Sequence, residues 1–390
     1  MKRNSRRYIL WMVGMVSALG PFVTDFYLPS LPALAGYFSA TASLVQLSLT
    51  FCMIGLAAGQ LIIGPLSDKY GRKRPLVWSM VLFCAATVCC LLAPDIYLFL
   101  FCRLLQGIAG AGGIVISKSI VTDLYRGEEL PRFFSMLSIV QGLAPICAPV
   151  LGGILAEYTD WKGIFAVLLA VGIILIFVLI RFRESLQEDL RIQGSIGATF
   201  RNYVPVLSDG RFVRYVLVQA FAMGVMFAYI SASPFIFQEH FGLTPFQYSL
   251  CFGVNALAIM AGSLTVTKFR TAVSALRAGV SGFLFMGCVV AVMLIAGSVW
   301  TVEAALWGLL FFLGLIFPSS TALALELQRR NSGNASAVLG FLGFLFGGVL
   351  SPLTGLGNML WTTAVIIVFC CFIAWWIERR GRLKSDSDIR

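Results

Sequence analysis

The stretch Gly64-Pro65-Leu66-Ser67-Asp68-Lys69-Tyr70-Gly71-Arg72-Lys73-Arg74 is a basic, polar break between two long apolar runs, 43–64 and 75–93. Each run is near the ~20 residues a helix needs to cross the hydrocarbon of a bilayer. Outward from this break the alternation continues in both directions. Twelve runs can be read: 8–28, 43–64, 75–93, 96–120, 133–156, 161–181, 212–237, 246–266, 275–296, 299–323, 335–353 and 356–377. Short polar turns separate most of them, and one longer polar segment divides the chain near its middle. The pattern predicts an all-α polytopic membrane protein with twelve transmembrane helices. An N-terminal six-helix bundle over 1–181 is joined by a cytoplasmic linker, 182–211, to a C-terminal bundle over 212–390 that ends in a short cytoplasmic tail.

Composition excludes the soluble classes. Of 390 residues, 59% are hydrophobic and 12% charged, against about a quarter charged in a soluble domain. The net charge of +11 does not indicate nucleic acid, because the basic residues lie in short clusters between apolar runs and form no stripe with interleaved aromatics. Ten cysteines fall nearly all inside apolar runs, and none has zinc-like spacing with the single histidine, His240, so they read as packing residues. No metal, cofactor or catalytic nucleophile–base pair is expected, and an enzyme is disfavoured. Ala33-Leu34-Ala35 resembles a signal-peptidase site, but the run before it is longer than the ~7–15 residues of a signal core and contains Asp25; it reads as a retained first helix.

Placing the N-terminus in the cytoplasm puts 26 of the 29 Lys and Arg on the inner side, as the positive-inside rule requires. Only Lys162 falls outside, while Arg103 and Lys118 lie within a span. The halves also echo one another. Gly64-Pro65-Leu66-Ser67 ends the second span and Gly262-Ser263-Leu264-Thr265 the eighth, an offset of 198, consistent with two six-helix pseudo-repeats of a transporter.

Several motifs narrow the reading. The Gly64, Asp68, Gly71, Arg72 spacing resembles the loop between helices two and three of the major facilitator superfamily, and the twelve-helix layout extends the likeness over essentially the whole chain. Thr24-Asp25-Phe26-Tyr27-Leu28-Pro29-Ser30-Leu31-Pro32, Arg103-Leu104-Leu105-Gln106-Gly107, Gly142 to Gly153, Ser231 to Phe235 and Gly333 to Ala337 together look like its drug:proton antiporter branch, the Bcr/CflA-type multidrug efflux transporters. The glycine- and proline-rich fifth span (Gly142, Pro145, Pro149, Gly152, Gly153) resembles the antiport motif and reads as a hinge. It departs from the common form at Ala144, where a glycine usually precedes the proline. Some relatives carry a second acid two turns before Asp25; here that position is Ser17, which puts divalent or strongly cationic substrates in doubt.

A charge inside a span costs at least ~2.5 kcal/mol, so Asp25 and Arg103 read as functional. Asp25 lies ~25 Å from the cytoplasmic edge and Arg103 ~20 Å, at 1.5 Å per residue, depths at which a long arginine reaches a carboxylate. A static ion pair would explain both charges. In the functional reading, a carboxylate whose proton affinity rises with desolvation and falls beside arginine couples proton entry to export. By resemblance, Asp123 with Arg72 and Asp68 forms an inner-side latch with Gly64 and Gly71, and Lys118 is counted with it. Tyr27, Gln106, Gln141, Tyr229, Asn255, Phe221 and Phe235 are candidates to line a substrate cavity.

The expected function is a proton-coupled secondary transporter that exports small lipophilic or amphiphilic compounds by alternating access, energised by the proton gradient. Its partners are substrate, protons and the lipid bilayer, and it is expected to be a monomer in a prokaryotic inner membrane. A dedicated exporter of a metabolite such as an amino acid or nucleoside, and a non-transporting sensor, are the competing readings.

Overall fold

The computed structural model describes residues 5–125, 129–188, 191, 203–328 and 332–387, with the side chains of 129–132, 134–139, 141–142, 332–333 and 382–387 left out. The described residues are mostly helical, and none of them forms a strand. Eleven helical segments are long and apolar enough to cross a membrane. The thirty-residue helix Glu129–Tyr158 supplies the twelfth crossing.

The chain divides into two compact units, Met1–Ala40 with Phe51–Thr199, and Thr41–Thr50 with Phe200–Arg390. In the first, α1 (Arg6–Asp25) leads through a 3₁₀ turn (Leu28–Ser30) into the short α2 (Leu31–Phe38). Then come α3 (Ala42–Tyr70), α4 (Lys73–Leu92), α5 (Ile96–Leu124), α6 (Glu129–Tyr158) and α7 (Trp161–Ile180). The second unit contains the short α8 (Tyr203–Ser208), then α9 (Gly210–Phe235), α10 (Pro245–Thr265), α11 (Ala272–Ala296), α12 (Val299–Leu327), α13 (Ser332–Leu350) and α14 (Met359–Ser387).

The break in the first crossing follows from its sequence. Pro29 has no N–H to give the Asp25 carbonyl four residues earlier, and its ring crowds that carbonyl. The α-helical ladder therefore stops at Asp25, and Ser30 N–H turns back to the Tyr27 carbonyl at 2.9 Å. Sequence reading had placed Gly64 to Arg74 in a loop. Instead α3 stays helical to Tyr70, through Pro65, and only Gly71 and Arg72 make the turn. Ser67 and Asp68 are both bonded to the Arg72 guanidinium, so side-chain contacts hold the last helical turn beyond the apolar run.

The two units repeat one packing scheme. In the first, α4 packs on α5 and α7, and α1 on α5 and α6; in the second, α11 packs on α12 and α14, and α9 on α12 and α13. Small residues set the closest helix crossings. A Cβ on Gly107 of α5 would strike the Cys52 carbonyl of α3, and one on Gly55 the Leu104 carbonyl. In the second unit, Gly262 of α10 lies against the Phe311 carbonyl and Gly314 of α12 against that of Ile259. The start of α3 groups with the second unit: Gln46 Nε2 donates to the Ser231 carbonyl at 3.0 Å, and Thr50 and Ser351 hydroxyls meet at 3.0 Å.

Candidate functional site

In the first unit, α5 places Arg103 in its third turn, where the side chain is fully buried. Its Nη2 donates to the Val23 carbonyl at 2.8 Å and its Nη1 to Gln106 Oε1. Gln106 passes the contact on, Nε2 to Thr87 Oγ1 at 2.8 Å. The guanidinium lies 4.3 Å from the Tyr27 ring centroid and 5.7 Å from that of Phe165. Edge-to-face contacts join Tyr27 to Phe165 and Phe165 to Phe99 and Trp161. Aromatic faces and neutral oxygens thus solvate a cation that water does not reach, each cation–π contact being worth ~2 kcal/mol when desolvated.

Arg103 and Asp25 are not paired. Asp25 ends α1 with 6% exposure, one carboxylate oxygen is buried without a hydrogen-bond partner, and no described cation comes within ion-pair distance. Depth arithmetic brought the two residues to similar levels but ignored the other partners of the guanidinium. Arg103 is spent on the Val23 carbonyl and the Tyr27 ring, on either side of the end of α1, and makes no contact with the Asp25 carboxylate.

At the end of the unit where α3 turns into α4, Arg72 is the hub. Its Nε donates to Asp123 Oδ2 at 2.9 Å, and its Nη1 to Asp68 and to Ser67 Oγ, the latter at 2.8 Å. Ser67 Oγ in turn donates to the Gly64 carbonyl at 2.8 Å. Burial alone favours loss of the Arg72 proton, but the bonds and charge of Asp123, then Asp68, outweigh it and hold its pKa above the ordinary arginine value. Gly71 adopts φ +85°, and a Cβ there would meet Glu184.

Glu184 and Ser185, which sequence reading missed, complete this site from the segment after α7. Glu184 accepts from Arg72 N at 2.8 Å and Lys73 N at 3.0 Å, at the N-terminus of α4, and Ser185 Oγ donates to Asp123 Oδ2 at 3.0 Å. An acid in a charged linker carries no sequence signal until it is seen to cap a helix. Lys118 stays out of the network, with an exposed side chain; it precedes Asp123 by five residues and so faces about 140° away around α5.

In the second unit, Asn255 Nδ2 bridges two groups, the Tyr229 hydroxyl at 3.0 Å and Glu303 Oε2 at 3.1 Å. Tyr229 also stacks on Phe252, with centroids 5.7 Å apart. Glu303 was not singled out in the sequence. It sits in the second turn of α12, where an acid near a span end reads as an interface residue, yet it is only 9% exposed.

Of the remaining candidates, Phe221 is half-buried and packs edge-on against Phe346. Phe235 is buried and borders a cavity of about 280 Å³ with Glu239, His240 and Asn358. Neither joins the Asn255 network. Helix α6 runs unbroken through Pro145 and Pro149, and Gly152 admits the Phe26 carbonyl where a Cβ would clash. Gly153 is buried. The side chain of Gln141 and the surroundings of Gly142 lie outside the described residues.

The model of the Major Facilitator Superfamily matches residues 10–352. The chain belongs to this superfamily. It is 38% identical over 378 residues to an uncharacterized MFS-type transporter, YdgK, of Bacillus subtilis, covering 93% of this chain and 94% of that one. It is 28% identical to a bicyclomycin resistance protein homolog of Haemophilus influenzae (98% and 99% covered) and 28% identical to a chloramphenicol resistance protein of Pseudomonas aeruginosa (96% and 90%). These relatives agree with the Bcr/CflA-type resemblance of the motifs. Among solved structures, a bacterial homolog of the human lysosomal transporter Spinster, inward-facing and occupied, matches with a TM-score of 0.78 at 16% identity, covering 97% of this chain and 98% of that one. The xylose transporter XylE of E. coli matches at 0.69 and 15%, covering 95% and 97%. Members of the superfamily are membrane transporters, not enzymes, and this chain is a multi-pass membrane protein of that kind.

Proposed function

We propose that the protein is a proton-coupled exporter of small lipophilic or amphiphilic compounds that works by alternating access. The observation that carries this reading is Asp25, a buried carboxyl with no ion-pair partner among the described residues, at a break in the first membrane helix. Breaks in membrane helices free backbone groups and recur at binding sites in secondary transporters.

Asp25 takes a proton from the outer side and releases it to the cytoplasm while substrate moves outward. Because Arg103 is held by neutral partners, a change in the hydration of Asp25 between the two states shifts the carboxyl's hold on the proton. Each proton moving inward down a 100 mV potential supplies ~2.3 kcal/mol. The Arg72–Asp68–Asp123 cluster biases the equilibrium between states as a conformational latch. Both termini face the cytoplasm, a placement the charge distribution supports, and the protein acts as a monomer in the inner membrane without a cofactor. Relatives named for bicyclomycin and chloramphenicol resistance support the substrate class.

The test is accumulation of radiolabelled chloramphenicol and a set of lipophilic drugs in a host stripped of its own efflux systems. Expression of the protein is expected to lower accumulation of at least one compound, and a protonophore to restore it. Unchanged accumulation across the set contradicts export of drug-like compounds.

A further inference from the structure

The Asn255 network in the second unit leaves an unbalanced set of buried atoms. Both hydrogens of Asn255 Nδ2 are used, one on Tyr229 and one on Glu303 Oε2. What remains is Glu303 Oε1 and Asn255 Oδ1, each buried and without a hydrogen-bond partner. Their residues are only 9% and 1% exposed. A buried acceptor without a donor is costly, and a buried carboxylate without a counter-charge either holds a proton or is completed by a cation. Among the described residues no lysine, arginine or histidine nitrogen lies within 4.0 Å of Glu303.

The surroundings define what would complete it. The vacant atoms are all acceptors, one on an acidic side chain, so the partner must bring N–H donors and positive charge. The Tyr229 and Phe252 rings, stacked beside the network, offer the faces that attract a cation. Tyr229 also borders a small cavity of about 10 Å³ shared with Ser233, Leu306 and Thr363. Thr363, on the wall of that cavity, carries a further buried oxygen without a partner. Within the repeat, α12 packs in the second unit as α5 does in the first. The helix that carries a cation, Arg103, in one unit thus carries an anion, Glu303, in the other.

We infer that Glu303, Asn255 and Tyr229 form a recognition site for a protonated amine, and that the exported compounds include lipophilic ammonium ions. Glu303 Oε1 and Asn255 Oδ1 accept the N–H bonds, and the Tyr229–Phe252 pair packs the adjoining apolar part. The inference rests on the exporter reading above and removes the sequence-based objection to cationic substrates, which considered acids of the first span alone.

The test uses the purified full-length protein and a matched pair: propranolol, a lipophilic secondary ammonium ion, and its neutral N-acetyl derivative. Wild-type protein is expected to bind propranolol about tenfold more tightly, the worth of one or two charge-assisted contacts. Glu303→Gln keeps the bond to Asn255 but not the charge, and should bind both compounds equally, with affinity for the neutral one unchanged. Glu303→Asp should retain part of the preference. Independently of whether the variants fold, propranolol should protect Glu303 of the wild-type protein from dicyclohexylcarbodiimide, read peptide by peptide in a mass spectrometer, while the N-acetyl compound and sodium chloride should not. Equal wild-type binding of the two compounds, a preference that survives Glu303→Gln, or protection confined to Asp25 overturns the inference and leaves the exporter reading standing. Binding of neither compound, with no efflux of either from cells, counts against both.

Discussion

Arg103 Nη2 donates to the Val23 carbonyl at 2.8 Å and not to the carboxylate of Asp25 two residues on. The fully buried cation of the first unit is held by a backbone oxygen, an amide and an aromatic face, and the acid is left without an ion pair. The arrangement matters because a carboxyl locked to arginine is a poor proton carrier, whereas an unpaired one responds to changes in its hydration.

Arg103→Lys is expected to keep the charge but lose the fork that serves Gln106 and Val23 together and the stacking on Tyr27. Export driven by a pH gradient should fall about tenfold, with a lower thermal midpoint in detergent. A variant transporting at wild-type rate would show that charge alone matters at this position.

The glycine crossings separate two kinds of position. Gly107→Ala drives a methyl into the Cys52 carbonyl of α3 and should destabilise by about 1–3 kcal/mol through forced helix separation. Gly64→Ala meets only a Val115 methyl at 3.6 Å, an ordinary contact, and should be tolerated. Fluorescence-detected size exclusion after a heating series distinguishes them.

Arg72→Ala leaves Asp123 without its guanidinium partner and Ser67 without a donor. Because the cluster is only partly buried, with Asp68 40% exposed, a loss of about 2 kcal/mol is expected, between the values for surface and buried pairs. Asp68→Asn should cost less than Asp123→Asn, whose side chain is 13% exposed. Gly71→Ala should weaken the same turn, since it strains φ +85° and displaces Glu184. Thermal midpoints of the four variants rank these effects.

Hydropathy made the crossings legible, and two motifs made the Arg72 cluster and Arg103 legible. The break after Asp25 was also written in the chain, in the prolines at 29 and 32, and the first span was ended at Leu28 without the short helix that follows. The other partners of Arg103 were the missing information. Equal depth brought Asp25 and Arg103 together on paper, while the guanidinium is taken up by the Val23 carbonyl, Gln106 and the Tyr27 ring. Glu303 and Glu184 were out of reach for another reason. Their importance lies in partners 48 and 112 residues away, Asn255 and Arg72, and no local pattern encodes those meetings.

The central claim is that Asp25 carries the coupling proton, and the most direct measurement uses proteoliposomes with an imposed pH gradient. For Asp25→Asn the account predicts loss of gradient-driven substrate accumulation, with substrate–substrate exchange across the membrane preserved. Gradient-driven accumulation at the wild-type rate would contradict it.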